Sequence, residues 1–415
     1  MFSLLGFSKR FFFAIGVSLL GGAPQVFAGV VELTAAFAPD PQNVGNDKFV
    51  NTTPNSGYCA YYPADCAAEN MFSIVVPLIF VSSAPIMADH SNPREGAMIK
   101  VPADYRSLDV VSSTGDVKTL QLKINGLGAN HIFSQDVRDI TGVSGILQAH
   151  TALWQGGGWV YAAAPCRYSG VGRYENKFYQ FFWKTPSIEY CAKKAKYDIE
   201  NLRMETVNIA YELIAPDPLS MGAGNYYGSI TYSVGPNGDF DFGDILKPTD
   251  SALTLNFTLS VSHVLQVQFP PGADRLSLVP DGGWQQWLHR GRRPEKLFAN
   301  QPFQIWSSGR FNMQLQCQHT VGEQCGIRNE SGHLVPVETR VTLPAGITGS
   351  SGMAVNRQLL SATNATNFLP SHYVDNGRAS LHFEVGRDSV KDMTEHAGSR
   401  YAGNVTIIWD GQIDG

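Results

Sequence analysis

Alternation of apolar and polar positions dominates this sequence. From Leu253 every second residue is apolar, through Leu255, Phe257, Leu259 and Val261, and the phase resumes at Leu265, Val267 and Phe269 before Pro270-Pro271 stops it. Val207, Ile209, Tyr211 and Leu213 alternate in the same way before Ala215-Pro216, as do Leu381, Phe383 and Val385 before Gly386. A period of two puts one set of side chains on one face of a half-buried strand. No stretch sustains an apolar period of 3.6, and short helices are expected only around 192–202 and 283–288. The pattern predicts an all-β chain.

An internal similarity divides it. Tyr226-Tyr227-Gly228-Ser229-Ile230-Thr231 and Tyr401-Ala402-Gly403-Asn404-Val405-Thr406 share the pattern Tyr-x-Gly-x-(Ile/Val)-Thr, each opening an alternating strand. The first copy is followed by the turn-rich Gly235-Pro236-Asn237-Gly238 and Lys247-Pro248-Thr249-Asp250. Two tandem β-sandwich units follow, 29–245 and 246–415, each nearing its end with an equivalent strand. After Val405, Ile407 and Trp409 only Gly411 to Gly415 remain, too few to make that strand's neighbour. An apolar groove beside an unpaired strand is an aggregation hazard. A strand from another chain is therefore expected there.

Residues 1–28 have the layout of a cleaved signal peptide: Lys9 and Arg10, an apolar run from Phe11 to Leu20, then Val26-Phe27-Ala28 before Gly29. A membrane anchor needs about 20 uninterrupted apolar residues, and Gly21-Gly22-Ala23-Pro24-Gln25 breaks the run too early. Export places the six cysteines in an oxidising compartment, in the close pairs Cys59 with Cys66, Cys166 with Cys191, and Cys317 with Cys325. Six thiols allow fifteen connectivities, of which nearest-neighbour closure is the simplest. No pair is C-x-x-C and no His flanks one at finger spacing, so a metal site is not expected. Without the two leader cations, 29 Lys+Arg face 36 Asp+Glu. With no basic stripe, that balance excludes a general nucleic-acid binder, and a content of 43% hydrophobic against 16% charged excludes a disordered chain.

The leader, the aromatic-rich first unit with local disulfides, and the closing Tyr401-Ala402-Gly403-Asn404-Val405-Thr406-Ile407-Ile408-Trp409-Asp410 resemble the two-domain tip adhesins of bacterial chaperone–usher fimbriae. Gly282-Gly283-Trp284-Gln285-Gln286-Trp287-Leu288 with Gly291-Arg292-Arg293-Pro294, and Tyr373-Val374-Asp375-Asn376, look like a subgroup of fimbrial minor subunits. The resemblance covers about half of the exported chain, mostly the second unit. It implies an immunoglobulin-like fold for both units, with 29–245 the receptor-binding domain and 246–415 a pilin domain lacking its last strand. It further implies a periplasmic chaperone that lends a strand, an outer-membrane usher, an adjacent subunit whose donor strand replaces the chaperone's, and a place at the fimbrial tip on the cell surface. The strand-accepting edge is assigned to Val405, Ile407 and Trp409, with the carboxylate of Gly415 as an ion-pair anchor.

Such a first unit should bind a host glycan or surface protein. A sugar site needs a stacking aromatic beside polar groups, and the richest window runs from Trp154 and Trp159 through Arg167 to Arg173 and Tyr174. Arg167 and Arg173 would suit an anionic glycan. The plainer reading of the two tryptophans is sandwich core. Tyr58, Tyr61 and Tyr62 form a second aromatic patch. Asn237, Asp239, Asp241 and Asp244 carry hard oxygen ligands at spacing that does not match a calcium loop, so a turn is expected there. No G-x-S-x-G, phosphate loop or paired-His motif is present, and no cofactor or catalysis is expected. The alternatives are a secreted carbohydrate-active enzyme with an accessory β-sandwich, or a structural minor pilin without a receptor.

Overall fold

In the computed structural model, which describes residues 29–43 and 47–411, the alternation at 253–261 becomes the Ala252–Val261 strand. Leu253, Leu255, Phe257, Leu259 and Val261 are each at most 4% exposed, and the intervening residues are half-buried. The expected signal peptide, 1–28, and Gly415 lie outside the described residues. Pairing runs along both sides of this strand. Gly29–Phe37 lies parallel to it, with Gly29 opposite Leu253 and Phe37 opposite Val261, and Gly224–Ser233 lies antiparallel on the other side.

That pairing moves the expected boundary. Residues 246–261 belong to the first unit, and the second begins after 262–264. The turn-rich run at 235–250 is a connection inside one sheet: Val234 N–H donates to Ser251 O at 2.8 Å, and Leu246–Pro248 pairs with Phe80–Ser82. Gly and Pro mark a chain reversal whether or not a domain ends there.

The chain is nearly all-β and forms two sandwich units. The first is one continuous twelve-stranded sheet folded over its own core, with a separate two-stranded pair. The fold-over is made by the 17-residue Val117–Phe133 strand. On one side it pairs first with Arg106–Ser112 and then, from Gly126, with Phe178–Lys184; Leu202–Ile214 runs along the other side. On the far face of Leu202–Ile214 a small second core forms from Tyr58, Cys59, Cys66, Met71, Phe182 and Ala210. Tyr58 stacks on Phe182 there with ring centroids 4.0 Å apart.

Two further expectations meet different outcomes. The helix expected at 283–288 is present as Gln285–Arg290, ended by Gly291 in the left-handed region. The helix expected at 192–202 is absent. Cys191–Lys193 is a strand paired with Ala97–Ile99, and Ile199 bridges Ile86. Ala195 and Ile199 have helical spacing and are both fully buried, but extended backbone brings them to the core. Tertiary pairing there overrides a weak local signal.

The repeated Tyr-x-Gly motif has a shared physical reason but not a shared position. A Cβ on Gly228 would run into the carbonyl oxygen of Asp109, and one on Gly403 would stand 2.6 Å from that of Gly326. In both copies glycine lets a neighbouring backbone approach. The first copy sits within an interior strand, whereas Gly403 precedes an edge strand. The two copies are not equivalent strands.

The second unit has two layers. One contains Leu265–Gln268, Leu297–Ser307, Val374–Val385 and Leu334–Thr342 in that order, with shorter strands beyond; the other runs Ile347–Gly349, Thr366–Pro370, Phe311–Cys317, Val405–Gly411. Between them lie Phe303, Ile305, Met313, Leu315, Val341 and Phe368. The three disulfides are the nearest-neighbour pairs, and Cys317–Cys325 ties the two layers together.

One buried group makes the first unit acid-sensitive. His131 is fully buried against Trp159 and Phe181, at centroid distances of 4.8 and 4.9 Å, and neither ring nitrogen has a hydrogen-bond partner. Burial pulls its pKa down to about 3, with the neighbouring His150 adding to the effect. The folded state therefore binds fewer protons than the unfolded chain, and the stability present above about pH 6.5 is lost as pH falls toward 3. Lowering the pH from 7 to 4.5 should cost about 2 kcal/mol in urea unfolding. A His131→Phe variant should remove the larger part of that dependence and leave the share of His150, whose pKa burial also lowers. The paired carboxylates of Asp136, Asp239, Asp241 and Asp244 are held below their usual range, so their contribution is lost only at lower pH.

Candidate strand-accepting groove

Val405–Gly411 pairs with Phe311–Cys317 over its whole length, Val405 opposite Cys317 and Gly411 opposite Phe311. Among the described residues its other edge has no strand partner. Val405, Ile407 and Trp409 face inward and Thr406, Ile408 and Asp410 face solvent. The inward set is only half-buried. The same alternation in Ala252–Val261, which has a neighbour on each side, is fully buried.

The exposed edge opens onto a groove of about 710 Å³. Ile327, Val337, Leu381 and Phe383 line it from the facing layer, Val405, Ile407 and Trp409 from the edge strand, and Phe269, Leu276 and Leu278 from the segment after Leu265–Gln268. Trp409 is anchored by Phe303 and Phe311, at centroid distances of 5.2 and 6.1 Å. The two layers touch at one end, where a Cβ on Gly411 would meet Leu265 at 3.6 Å. They touch again at the other end, where Ala402 bridges Arg328 and Gly403 lies against Gly326, and the groove opens between these two contacts. An extended segment laid there would find unpaired backbone groups along one side and apolar pockets beneath every second side chain.

The first-unit candidates fare differently. Trp154 and Trp159 are each 1% exposed and belong to the main core, which corrects their assignment as receptor contacts. Arg167, Arg173 and Tyr174 are exposed on Arg167–Glu175. They do not converge: a bulge between Tyr168 and Gly172 shifts the register, and Arg173 turns to Glu175 at 3.5 Å. In the second patch Tyr58 is buried, while Tyr61 is 76% exposed. The acidic run is a turn held by arginines, with Asp241 and Asp244 on Arg94 and Asp239 on Arg106. Among the described residues no cluster of three or more His, Cys, Asp or Glu could hold a metal, and no helix is long and apolar enough to cross a membrane.

Sequence reasoning missed Lys193. It is 6% exposed, and its ammonium donates to the carbonyls of Gly157, Gly158 and Tyr161 at 2.8–2.9 Å. Burial lowers its pKa to about 8. Gly156 and Gly157 take φ of 77° and 92°, so the loop can turn its carbonyls onto that single cation. No local pattern marks a lysine whose three partners lie more than thirty residues away.

No protein-family model matches the chain, and no curated protein matches it. A solved structure, the CsuC–CsuE chaperone–tip adhesion subunit pre-assembly complex from archaic chaperone-usher Csu pili of Acinetobacter baumannii, matches over 93% of this chain and 99% of that chain, at 8% identity and a TM-score of 0.20.

Proposed function

We propose that this chain is a non-enzymatic subunit at the tip of a chaperone–usher fimbria, exported through the periplasm to the cell surface. Its groove accepts a strand first from a periplasmic chaperone and then, at the outer-membrane usher, from the adjacent subunit; its first unit contacts a host glycan or surface receptor. The observation that carries this is the contrast between two alternating strands of one chain. Ala252–Val261 has both neighbours and a sealed apolar face, while Val405–Gly411 lacks one neighbour and leaves Val405, Ile407 and Trp409 half-open above a groove. A sandwich in water does not leave such a face uncovered at equilibrium without risk of edge-to-edge association.

A tip position is favoured by the first described strand. Gly29–Phe37 is committed along its length to its own sheet, so it does not serve as a donor to another subunit.

Co-expression tests the class. With a fimbrial chaperone in the periplasm the chain should be recovered as a soluble one-to-one complex, and without it most of the chain should aggregate or be degraded, leaving a small folded fraction. Equal recovery of soluble chain with and without the chaperone would overturn the proposal.

A further inference from the structure

A second concavity, of about 590 Å³, opens on the first unit beside the Cys166–Cys191 disulfide. Its floor is a closed ionic network. The Arg94 guanidinium donates to Asp241 at 2.7 Å and to Asp244 at 2.9 Å, and Asp241 also accepts the backbone N–H groups of Asn237 and Gly243, each at 2.9 Å. Of the two carboxylates that share Arg94, Asp241 has a side chain only 2% exposed, and Asp244 lies outside the cleft lining.

The groups above that floor are free. Among the described residues the Lys100 ammonium, the Glu189 carboxylate, the Asn237 side-chain amide and the Tyr190 hydroxyl have no protein partner within the cleft or outside it. Tyr190 is 49% and Ile188 55% exposed, so an aromatic ring and an apolar side chain stand beside donors and acceptors. The backbone that carries these groups is held at two points. Lys100 and Asp241 are bridged through their backbones, and Cys191, next to Tyr190, is held by its disulfide and by pairing with Ile99.

We infer that this cleft binds a neutral saccharide, with the Tyr190 ring against a sugar's C–H face and Lys100, Glu189 and Asn237 on its hydroxyls. Hydroxyls both donate and accept, which matches one free ammonium, one free carboxylate and one amide. The charged groups that line the cleft are two cations, Arg94 and Lys100, and two carboxylates, Asp241 and Glu189, so the lining holds no surplus charge for an acidic or a basic ligand. Its volume lies within the roughly 300–1,000 Å³ common to small-molecule sites. The inference rests on the first unit being a receptor-binding domain, and it replaces the anionic glycan expected at Arg167 and Arg173.

The test is binding of the full chain, purified with its chaperone, to immobilised mannose-, galactose- and N-acetylglucosamine-terminated oligosaccharides and to sialylated counterparts. Neutral sugars should bind, and Tyr190→Ala and Lys100→Ala should each weaken binding about tenfold or more. Tyr190→Phe should stay within about threefold, because the stacking face is kept, and Arg173→Ala should change nothing. Near-UV circular dichroism checks folding, and if Tyr190→Ala does not fold, Lys100→Ala decides. No neutral sugar bound, a sialylated preference abolished by Arg173→Ala, or binding undiminished in Tyr190→Ala and Lys100→Ala would overturn the inference. A chaperone complex that forms while no sugar binds would overturn this inference alone and leave the fimbrial reading standing.

Discussion

Trp159→Ala should destabilise the first unit by about 3–5 kcal/mol, the range for deleting a large aromatic from a packed core. The indole stacks on Trp183 with centroids 4.6 Å apart and 22° between planes, and meets Trp154 at 4.7 Å and His131 at 4.8 Å. Its backbone is as involved as its ring. The Trp159 carbonyl accepts the Trp183 indole N–H at 3.0 Å, and the flanking carbonyls of Gly158 and Tyr161 hold Lys193. A cavity here therefore loosens the partners of a buried cation, whose exposure to a low-dielectric void is unfavourable. Trp159→Phe should cost much less, since the Trp159 indole N–H is buried without a partner and its removal loses no hydrogen bond. Urea unfolding of the full chain measures both. A loss below about 1 kcal/mol for Trp159→Ala, with glycan binding abolished, would return Trp159 to the role of a contact residue.

Supplying a strand to the groove should have the opposite sign and comparable size. Val405, Ile407 and Trp409 on one wall and Phe269, Leu276 and Leu278 on the other would lose their remaining contact with water. An incoming strand would bury its own alternate apolar side chains at about 1.5–3 kcal/mol each. Ordering that strand opposes the gain by about 1–2 kcal/mol per residue of backbone. New ladder hydrogen bonds along the open edge contribute about 0.5–1.5 kcal/mol each. The net expectation is a few kcal/mol, which for a unit of this size corresponds to a rise in melting temperature of about 10 °C.

The two sites differ in how much the sequence shows of them. Val405, Ile407 and Trp409 are legible because period-two alternation is local. The other wall is not, since Phe269 to Leu278 reaches the groove through a proline-interrupted segment with no periodicity. The domain boundary misleads for a related reason: Gly235-Pro236-Asn237-Gly238 marks a reversal, and only the pairing of Leu253–Val261 with Gly29–Phe37 shows that the sheet continues past it. Trp154 and Trp159 sit among glycines, which suggests an exposed loop. That loop is instead drawn inward by Lys193, and its tryptophans go into the core. The cleft at Tyr190 has no local signature at all. Lys100, Glu189, Tyr190 and Asn237 come together only through long-range strand pairing, and what identifies them is a shared concavity in which none of the four side chains has a protein partner.

The most direct test of the open groove is hydrogen exchange on Val405–Gly411, measured in the chain alone and in a version carrying an alternating Val/Ile strand fused after Gly415 through a flexible linker. The amides that point away from Phe311–Cys317 should exchange fast in the first and become protected in the second, with the rise in melting temperature given above. Equal protection in both, with an unchanged melting temperature, would mean that the edge is already closed and that no strand is awaited.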